Sequence, residues 1–370
     1  MKTTGDQQLV KRINRSVLLR QLRQHSGLTK STVSLLVREL MDEGWVSEQG
    51  VSAAKGLGRP STPLQIDGHT RGLIGVEVAV EALRVVGVSL LGKVLSVLEE
   101  PLESTAPEVV CLHAARLVAR VYAELAQRGV QLAGIGVGLP GAFDEATGVV
   151  RFAPNLGWRN VDFVSQITQA LACADVPRVA VHVQNEADTA ALSEYEFLPS
   201  DARDSLIFVT CGAGVGAGIV LNDRLFTGTQ GMAGEIGHSI LQIDGPRCSC
   251  GRQGCAETFF GARALAKQPD PTQGGRSLGV VLQNLWTTFN PSVLVVGGPS
   301  CERYPGIVQV AQDTLQSYAS SCGMAPPTLR QAHYGLLASA VGAAALVLHH
   351  ELRPMHPRSS TPTVITPPCS

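Results

Sequence analysis

The sequence predicts an α/β protein in two parts: an N-terminal winged helix-turn-helix, then a larger body in which a mixed sheet is flanked by helices. Three observations carry this prediction. Before Trp45, apolar residues recur at helical spacing on both sides of a glycine break. Between Trp45 and Ile66, two short β-type runs bracket a polar stretch rich in Gly, Ser and Ala. Beyond Gly72, strand-like runs of Val, Ile and Leu alternate with long helical patterns, as in a sheet covered by helices.

In the head, Val10, Ile13, Val17, Leu18 and Leu22 predict an amphipathic helix from Val10 to Gln24, broken by Gly27. The segment GLTKSTVSLLVRELMDEGWV then supplies a cap at Thr29 or Ser31, an apolar face of Val33, Leu36, Val37 and Leu40, and a stop at Gly44. Thr29, Lys30, Ser31, Thr32 and Ser34, with Arg38 a turn further on, offer short hydroxyls and cations. These groups suit phosphates and base edges in a major groove. A generic helical hairpin capped by Ser and Thr is the plainer alternative. Trp45 and Val46 read as the first wing strand and Pro63 to Ile66 as the return strand, closing a first domain over residues 1–66. Lys55 and Arg59 fall at the wing tip, where they either meet the minor groove or backbone of DNA or form a plain basic loop.

Charge is distributed unevenly. The whole chain carries a formal net charge of -1, yet its first 60 residues hold ten Lys and Arg against five Asp and Glu, leaving twenty against twenty-six for the rest. A basic head on an acidic body is the distribution of a nucleic-acid-binding module on an effector domain, although a solvated helical surface gives the same surplus. With 370 residues, 44% of them hydrophobic and 16% charged, the chain is long enough for two or three domains and too apolar to be disordered throughout. No run approaches a membrane span and Met1 to Leu9 carries no secretion signal, so a cytoplasmic protein without a membrane partner is expected. In that reducing compartment, the crowding of Cys248, Cys250 and Cys255 suggests a metal rather than a disulfide. Cys111, Cys173, Cys211, Cys301, Cys322 and Cys369 read as small buried hydrophobes or an inert tail thiol. The tail 353–370, rich in Pro, Ser and Thr without periodicity, is expected to be disordered.

Within the body, LIGVEVAVEALRVVGVSLLGKVLSVL predicts strand, Gly-bearing turn and strand; a helix from Val109 to Arg128 and the strand LAGIGVGLPGAFD follow. GVGLPGAFD, APNLGW, VQNEADTAAL, CGAGVGAGIV, GEIGHSIL, CSCGRQGCAE and NPSVLVVGG then succeed one another. In content and order these segments resemble the ROK family of repressors and sugar kinases, nearest its xylose-repressor-like branch. The resemblance covers about residues 8–350. It implies a two-lobed actin-like, ribonuclease H-like ATPase-type fold over 67–352, one lobe being 67–180 plus 335–352 and the other 181–334. Against the family's repressors the head lacks a stretch one helix long between its first helix and GLTKST, so a helix is missing or merged.

Cys248-x-Cys250-x4-Cys255 places three thiolates on one short loop, and a nearby histidine completes a tetrahedral structural zinc set with no open position. The alternative is three unrelated free cysteines. The resemblance implies His238 as the fourth ligand, and one ring nitrogen on zinc leaves the other for a sugar. Glu235 and Glu257 flank this loop as candidate grips for vicinal hydroxyls, or else as surface carboxylates. By resemblance Asn155, Asn185 and Glu186 complete the sugar site, although either asparagine also suits a turn cap.

Two departures bear on catalysis. Sugar kinases of this fold need a phosphate-cradling Asp-x-Gly-x-Thr turn, where this chain reads Gly75-Val76-Glu77-Val78-Ala79-Val80-Glu81. Their Asn-Asp catalytic pair is replaced by Asn185-Glu186, a carboxylate one methylene longer. The Gly212 to Gly218 loop and Gly297-Gly298 read as close packing points more readily than as a nucleotide site. The resemblance therefore implies a non-enzymatic, sugar-responsive repressor of a carbohydrate operon, xylose foremost. Its implied partners are operator DNA and a monosaccharide of the xylose, glucose or N-acetylglucosamine class, bound by a homodimer or homotetramer. An active sugar kinase, and a DNA-binding regulator with a vestigial sugar pocket, are the other readings.

Overall fold

The structure, a computed structural model, describes residues 30–48, 64–198, 205–268 and 270–352. The expected helix over 10–24, the positions Thr29, Lys55, Arg59 and Cys369, and the tail from 353 lie outside the described residues.

Helix α1 (Lys30–Asp42) buries Leu36 and Leu40 and exposes Ser34 and Arg38 on the other side, as its periodicity predicts. Gly44 ends it in the left-handed region at φ 72°, where a side chain is strained. Strands β1 (Val46–Glu48) and β2 (Leu64–Ile66) pair antiparallel with Val46 opposite Ile66, so the wing ribbon starts one residue later than expected. Trp45 instead packs inward, with the Arg71 guanidinium 5.2 Å over its ring. Arg71 also donates to the Glu43 carbonyl, tying the head to the body.

The body consists of the same sheet built twice. In the first, β3 (Arg71–Val78), β4 (Ala82–Ser89) and β5 (Val94–Pro101) form an antiparallel meander. On the other side of β3, β6 (Gln131–Leu139) and then β10 (Ala180–Asn185) add in parallel. Between β6 and β10 a small antiparallel sheet of β7 (Ala142–Asp144), β8 (Val149–Ala153) and β9 (Trp158–Asp162) projects outward. The second large sheet repeats the pattern: the meander β11 (Ser205–Cys211), β12 (Val215–Leu221) and β13 (Arg224–Leu225), then β14 (Val293–Gly297) and β15 (Thr328–Gln331) parallel on the far side of β11. This duplication is the two-lobed actin-like, ribonuclease H-like arrangement. The lobe boundary expected at residue 180 falls inside β10, whose register with β6 runs from Ala180–Gly134 to Asn185–Leu139, so the first sheet extends to Asn185.

Helices α2 (Pro107–Gln127) and α3 (Phe163–Ala172) cover the outer face of the first sheet. The second sheet is covered by α7 (Thr272–Phe289) and α9 (Gly306–Ser321), with the short helices α5 (Glu257–Phe260), α6 (Ala262–Leu265) and α8 (Pro299–Arg303) at its edge. Between the sheets lie α4 (Glu186–Phe197) and α10 (Ala338–Leu352). The segment Gly335–Leu352 is apolar and long enough to cross a membrane, but 67% of it is buried inside the protein, which is why it is apolar almost all round. Its approach to the first sheet is closer than a side chain permits: a Cβ on Gly75 would lie 1.9 Å from the Ala340 carbonyl oxygen, and one on Gly136 1.7 Å from that of Ala343. Leu36, Leu40, Trp45 and Val46 of the head share one apolar cluster with Leu348 and Leu352 of α10.

Of the scattered thiols, Cys111, Cys211 and Cys301 are buried as expected. Cys173 and Cys322 are exposed instead, each following the last residue of a surface helix.

Candidate functional site

The metal-type cluster assembles in the loop that follows β13. The short 3-10 turn Ile236–His238 presents His238, and the bridges Ile240–Cys255 and Arg247–Gln253 fold the cysteine segment back onto it. One ligand atom from each of His238, Cys248, Cys250 and Cys255 lies within 4.8 Å of the others. Cys248 Sγ stands 3.7 Å from His238 Nδ1, and Cys250 Sγ 3.7 Å from Cys255 Sγ. Two thiolates bound tetrahedrally to one ion through bonds of about 2.3 Å stand about 3.8 Å apart, so the residues fit a single metal. The three cysteines are free thiols. Because Nδ1 faces the sulfurs, Nε2 of His238 is left for another partner.

Three carboxyls gather beside this loop. Glu257, first residue of α5, holds Oε2 3.2 Å from the Val215 amide, which fixes it over the Gly212–Gly214 turn. A Cβ on Gly214 would lie 3.6 Å from Glu257 Oε2 and 3.9 Å from Asn155 Nδ2, so the turn between β8 and β9 delivers Asn155 to the same place. Glu235 is held above the usual carboxylate range by burial, with Glu257 adding to the rise and His238 opposing it. Glu186 is pushed up to about 8 by burial, then by the charges of Glu77 and Glu235. Thus Asn155, Glu186, Glu235, His238 and Glu257 share one neighbourhood.

Asn185 has a structural role in the fold. Its Oδ1 accepts the Ala187 amide at 2.7 Å as the N-cap of α4, and its Nδ2 donates to the Gly141 carbonyl at 2.8 Å. Asn185 thus caps α4 and, through it, positions Glu186.

Two residues of the site escaped sequence reasoning. Asp188 is only 4% exposed, its Oδ1 has no hydrogen-bond partner, and burial holds its carboxyl well above the usual range, with Glu235 and Glu145 adding. The available signal was its setting among Ala187, Thr189, Ala190, Ala191 and Leu192, which leaves the helix no solvent face. Glu77, opposite Arg84 in the β3–β4 ladder, pairs with it at 3.1 Å, and Arg84 also reaches Glu99 at 3.0 Å. The intervening turn is closed by Ala79 N–H donating to Ala82 O at 2.9 Å. Gly218, whose Cβ would meet the Ala187 carbonyl at 2.1 Å, and Gly297, hemmed in by Ala332 and Phe208, are packing points as expected.

Glu186 has a measurable consequence. Its folded-state value of about 8 exceeds the 4.5 of an ordinary glutamate, so the folded chain holds a proton that the unfolded chain releases. This contribution is therefore lost as pH rises from 4.5 towards 8. Glu186→Gln is expected to stabilise the protein at pH 7 by up to about 3 kcal/mol and to flatten the decline in Tm from pH 5.5 to pH 8.5. Melting curves showing the same slope in both proteins would refute it.

A family model described as ROK family matches residues 74–273. The xylose repressor of Bacillus subtilis (strain 168) is 28% identical over 94% of this chain and 98% of its own length. Among solved structures, a ROK family transcriptional regulator described as a homologue of E. coli MLC protein superposes with a TM-score of 0.73 over 93% of this chain and 98% of its own, at 22% identity. The ROK hexokinase from Thermus thermophilus gives 0.62 over 74% of this chain and 97% of its own, at 27% identity. The family match spans more than half of the chain and contains every residue of the site just described, and the chain belongs to the ROK family.

Proposed function

We propose that this protein is a sugar-responsive transcriptional repressor of a carbohydrate-utilisation operon, with xylose as the first candidate inducer. The observation that carries the reading is that one chain joins a basic head, its helix α1 exposing Ser34 and Arg38, to a body that gathers Asn155, Glu186, Glu235, His238 and Glu257. The whole-length similarity to a xylose repressor supports it.

In this reading the head docks on operator DNA through Lys30, Ser31, Thr32, Ser34 and Arg38, with Thr29, Lys55 and Arg59 assisting. Glu235 and Glu257 accept hydrogen bonds from sugar hydroxyls; Asn155, Glu186 and Nε2 of His238 supply the remaining polar contacts. Zinc held by His238, Cys248, Cys250 and Cys255 fixes the shape of the loop that carries three of these groups. Sugar seated between α4 and the loop biases closure of the lobes, α10 passes that movement to α1, and the paired heads of a homodimer or homotetramer lose register with two operator half-sites. The working compartment is the cytoplasm, where the DNA is.

The kinase reading has in its favour the hexokinase relative of the same fold. Against it, the turn where phosphates need a backbone cradle is closed on itself, and Glu77 is spent on Arg84. The longer side chain of Glu186 also suits it poorly to abstracting a proton from a hydroxyl that an aspartate would reach.

Fluorescence anisotropy on the promoter-region DNA, at fixed salt with xylose, glucose and N-acetylglucosamine in turn, tests the proposal. Specific binding released by one sugar is the expected result. DNA binding indifferent to every sugar would sink the sensor reading, and ATP turnover stimulated by a sugar would restore the kinase.

A further inference from the structure

Helices α4 and α10 run parallel and in register. Gly342 lies against the Thr189 backbone, and Thr189 Oγ1 stands 3.1 Å from Ser339 Oγ. Two turns further along both helices, Glu196 Oε1 meets His349 Nδ1 at 2.7 Å. Between these points the helices meet through small or apolar residues, Ala190, Ala191, Ala345 and Leu346. Small apolar side chains fix a register weakly, whereas a buried polar pair is satisfied in one register alone. The Glu196 side chain has no solvent exposure and that of His349 has 10%, so parting them would leave polar atoms away from water.

The last turn of α4 is tied to the second lobe at two further points. Glu194 pairs with Arg330 of β15 and accepts the His333 N–H at 2.7 Å, and Tyr195 donates to Asp223 Oδ1, between β12 and β13, at 2.7 Å. By contrast, α10 sits on the first lobe, against the backbone of β3 and β6 at Gly75 and Gly136. Glu196 and His349 therefore join an element held by the second lobe to one held by the first. The head is anchored at the same level. Leu348 and Leu352, on either side of His349, belong to the apolar cluster of Leu36, Leu40, Trp45 and Val46, and Phe197 packs against it. At its other end α4 begins with Glu186, ten residues or about 15 Å from Glu196.

We propose that the buried Glu196–His349 pair is the positioning contact through which movement of the second lobe shifts α10 and the head, so that it carries the sugar signal while touching neither sugar nor DNA. The inference rests on the sugar-repressor reading above and adds to it the point of regulation. A lobe movement that displaces β15 and the β12–β13 turn takes the last turn of α4 with it. His349 then follows Glu196, and Leu348 and Leu352 move beneath α1.

The test uses the full-length protein with Glu196→Leu and His349→Leu combined, an apolar replacement that keeps the interface filled and is expected to melt no lower than the parent. Promoter-DNA affinity is read by fluorescence anisotropy with and without saturating xylose, glucose or N-acetylglucosamine, and sugar affinity by isothermal titration calorimetry with and without DNA. In the parent, the sugar that acts should weaken DNA binding by a factor of about 5–150. In the double variant each separate affinity should stay within about threefold of the parent, while that factor falls below about 2, and DNA should equally cease to weaken sugar binding. The factor is a ratio within one protein, so His349→Ala, assayed well below its melting temperature, should lose it likewise. Glu196→Gln, whose amide oxygen still accepts from His349, should keep it. A contact of purely structural value would instead lower Tm or both affinities and leave the factor unchanged. A folded double variant or His349→Ala protein that keeps the parent's factor overturns the inference and leaves the repressor reading standing. Parent protein whose DNA binding none of the three sugars moves removes this inference together with the reading beneath it.

Discussion

Gly342→Ala is expected to lower the melting temperature by about 2–5 °C, although alanine is the better helix former. On an open helix surface this exchange gains about 1 kcal/mol. Here the added Cβ would lie 1.6 Å from the Thr189 carbonyl oxygen and 2.3 Å from its carbon, both backbone atoms of α4, which no rotamer change can move. Relief requires α10 and α4 to separate along the interface where Ala190, Ala191, Ala345 and Leu346 interdigitate. Overpacking of this kind costs about 1–3 kcal/mol, and opening the interface adds to it, so the clash outweighs the propensity gain. Gly306→Ala, at a helical glycine with nothing within 4 Å of the new Cβ, is the control and should be neutral or slightly stabilising. A Gly342→Ala protein that melts at or above the parent temperature would show that the helices are less tightly opposed than this.

Cys255→Ser is expected to abolish stoichiometric zinc and, with it, sugar binding. The segment from His238 to Cys255 contains no helix or strand of its own beyond two isolated bridges and tight turns, so little else holds it in shape. Structural zinc sites in small domains contribute about 10 kcal/mol or more to folding, and even a fraction of that exceeds what these bridges supply. Metal analysis of the parent protein should give one zinc per chain. The serine variant, or parent protein stripped with a strong chelator, should melt about 10 °C lower and lose sugar affinity, because Glu235, His238 and Glu257 all ride on the loop. Binding of promoter DNA in the absence of sugar should persist, since α1 and the wing ribbon contact the first lobe and α10 rather than this loop. Purified protein free of metal that still binds sugar would defeat the proposal that zinc shapes this site.

Features written within short stretches of chain were legible in the sequence. The spacing Cys248-x-Cys250-x4-Cys255 needs only one loop to bring thiols together, and the structure does bring them together with His238. The apolar spacing of Leu36 and Leu40, the stop at Gly44 and the two wing strands obey local periodicity and turn rules that hold wherever the segment packs. The duplicated sheet, by contrast, came from resemblance of motifs and not from any periodicity.

What tertiary structure alone decided is which groups became partners across long separations. The side-chain amide of Asn185 bonds not only to Ala187, two residues on, but also to Gly141, more than 40 residues upstream. The sequence's one sign of Asp188 was the run of small and apolar neighbours, whereas the burial itself depends on β12 and the second lobe closing over α4. Nor did the sequence show that β10 would extend the first sheet, or that Gly75, Gly136 and Gly342 would let α10 come within backbone contact of β3, β6 and α4 at once. Turn chemistry and ligand spacing are properties of a few consecutive residues, so the sequence determined them by itself. Burial, strand order and the field felt by a carboxyl depend on what the rest of the chain places alongside, and these only the tertiary structure could fix.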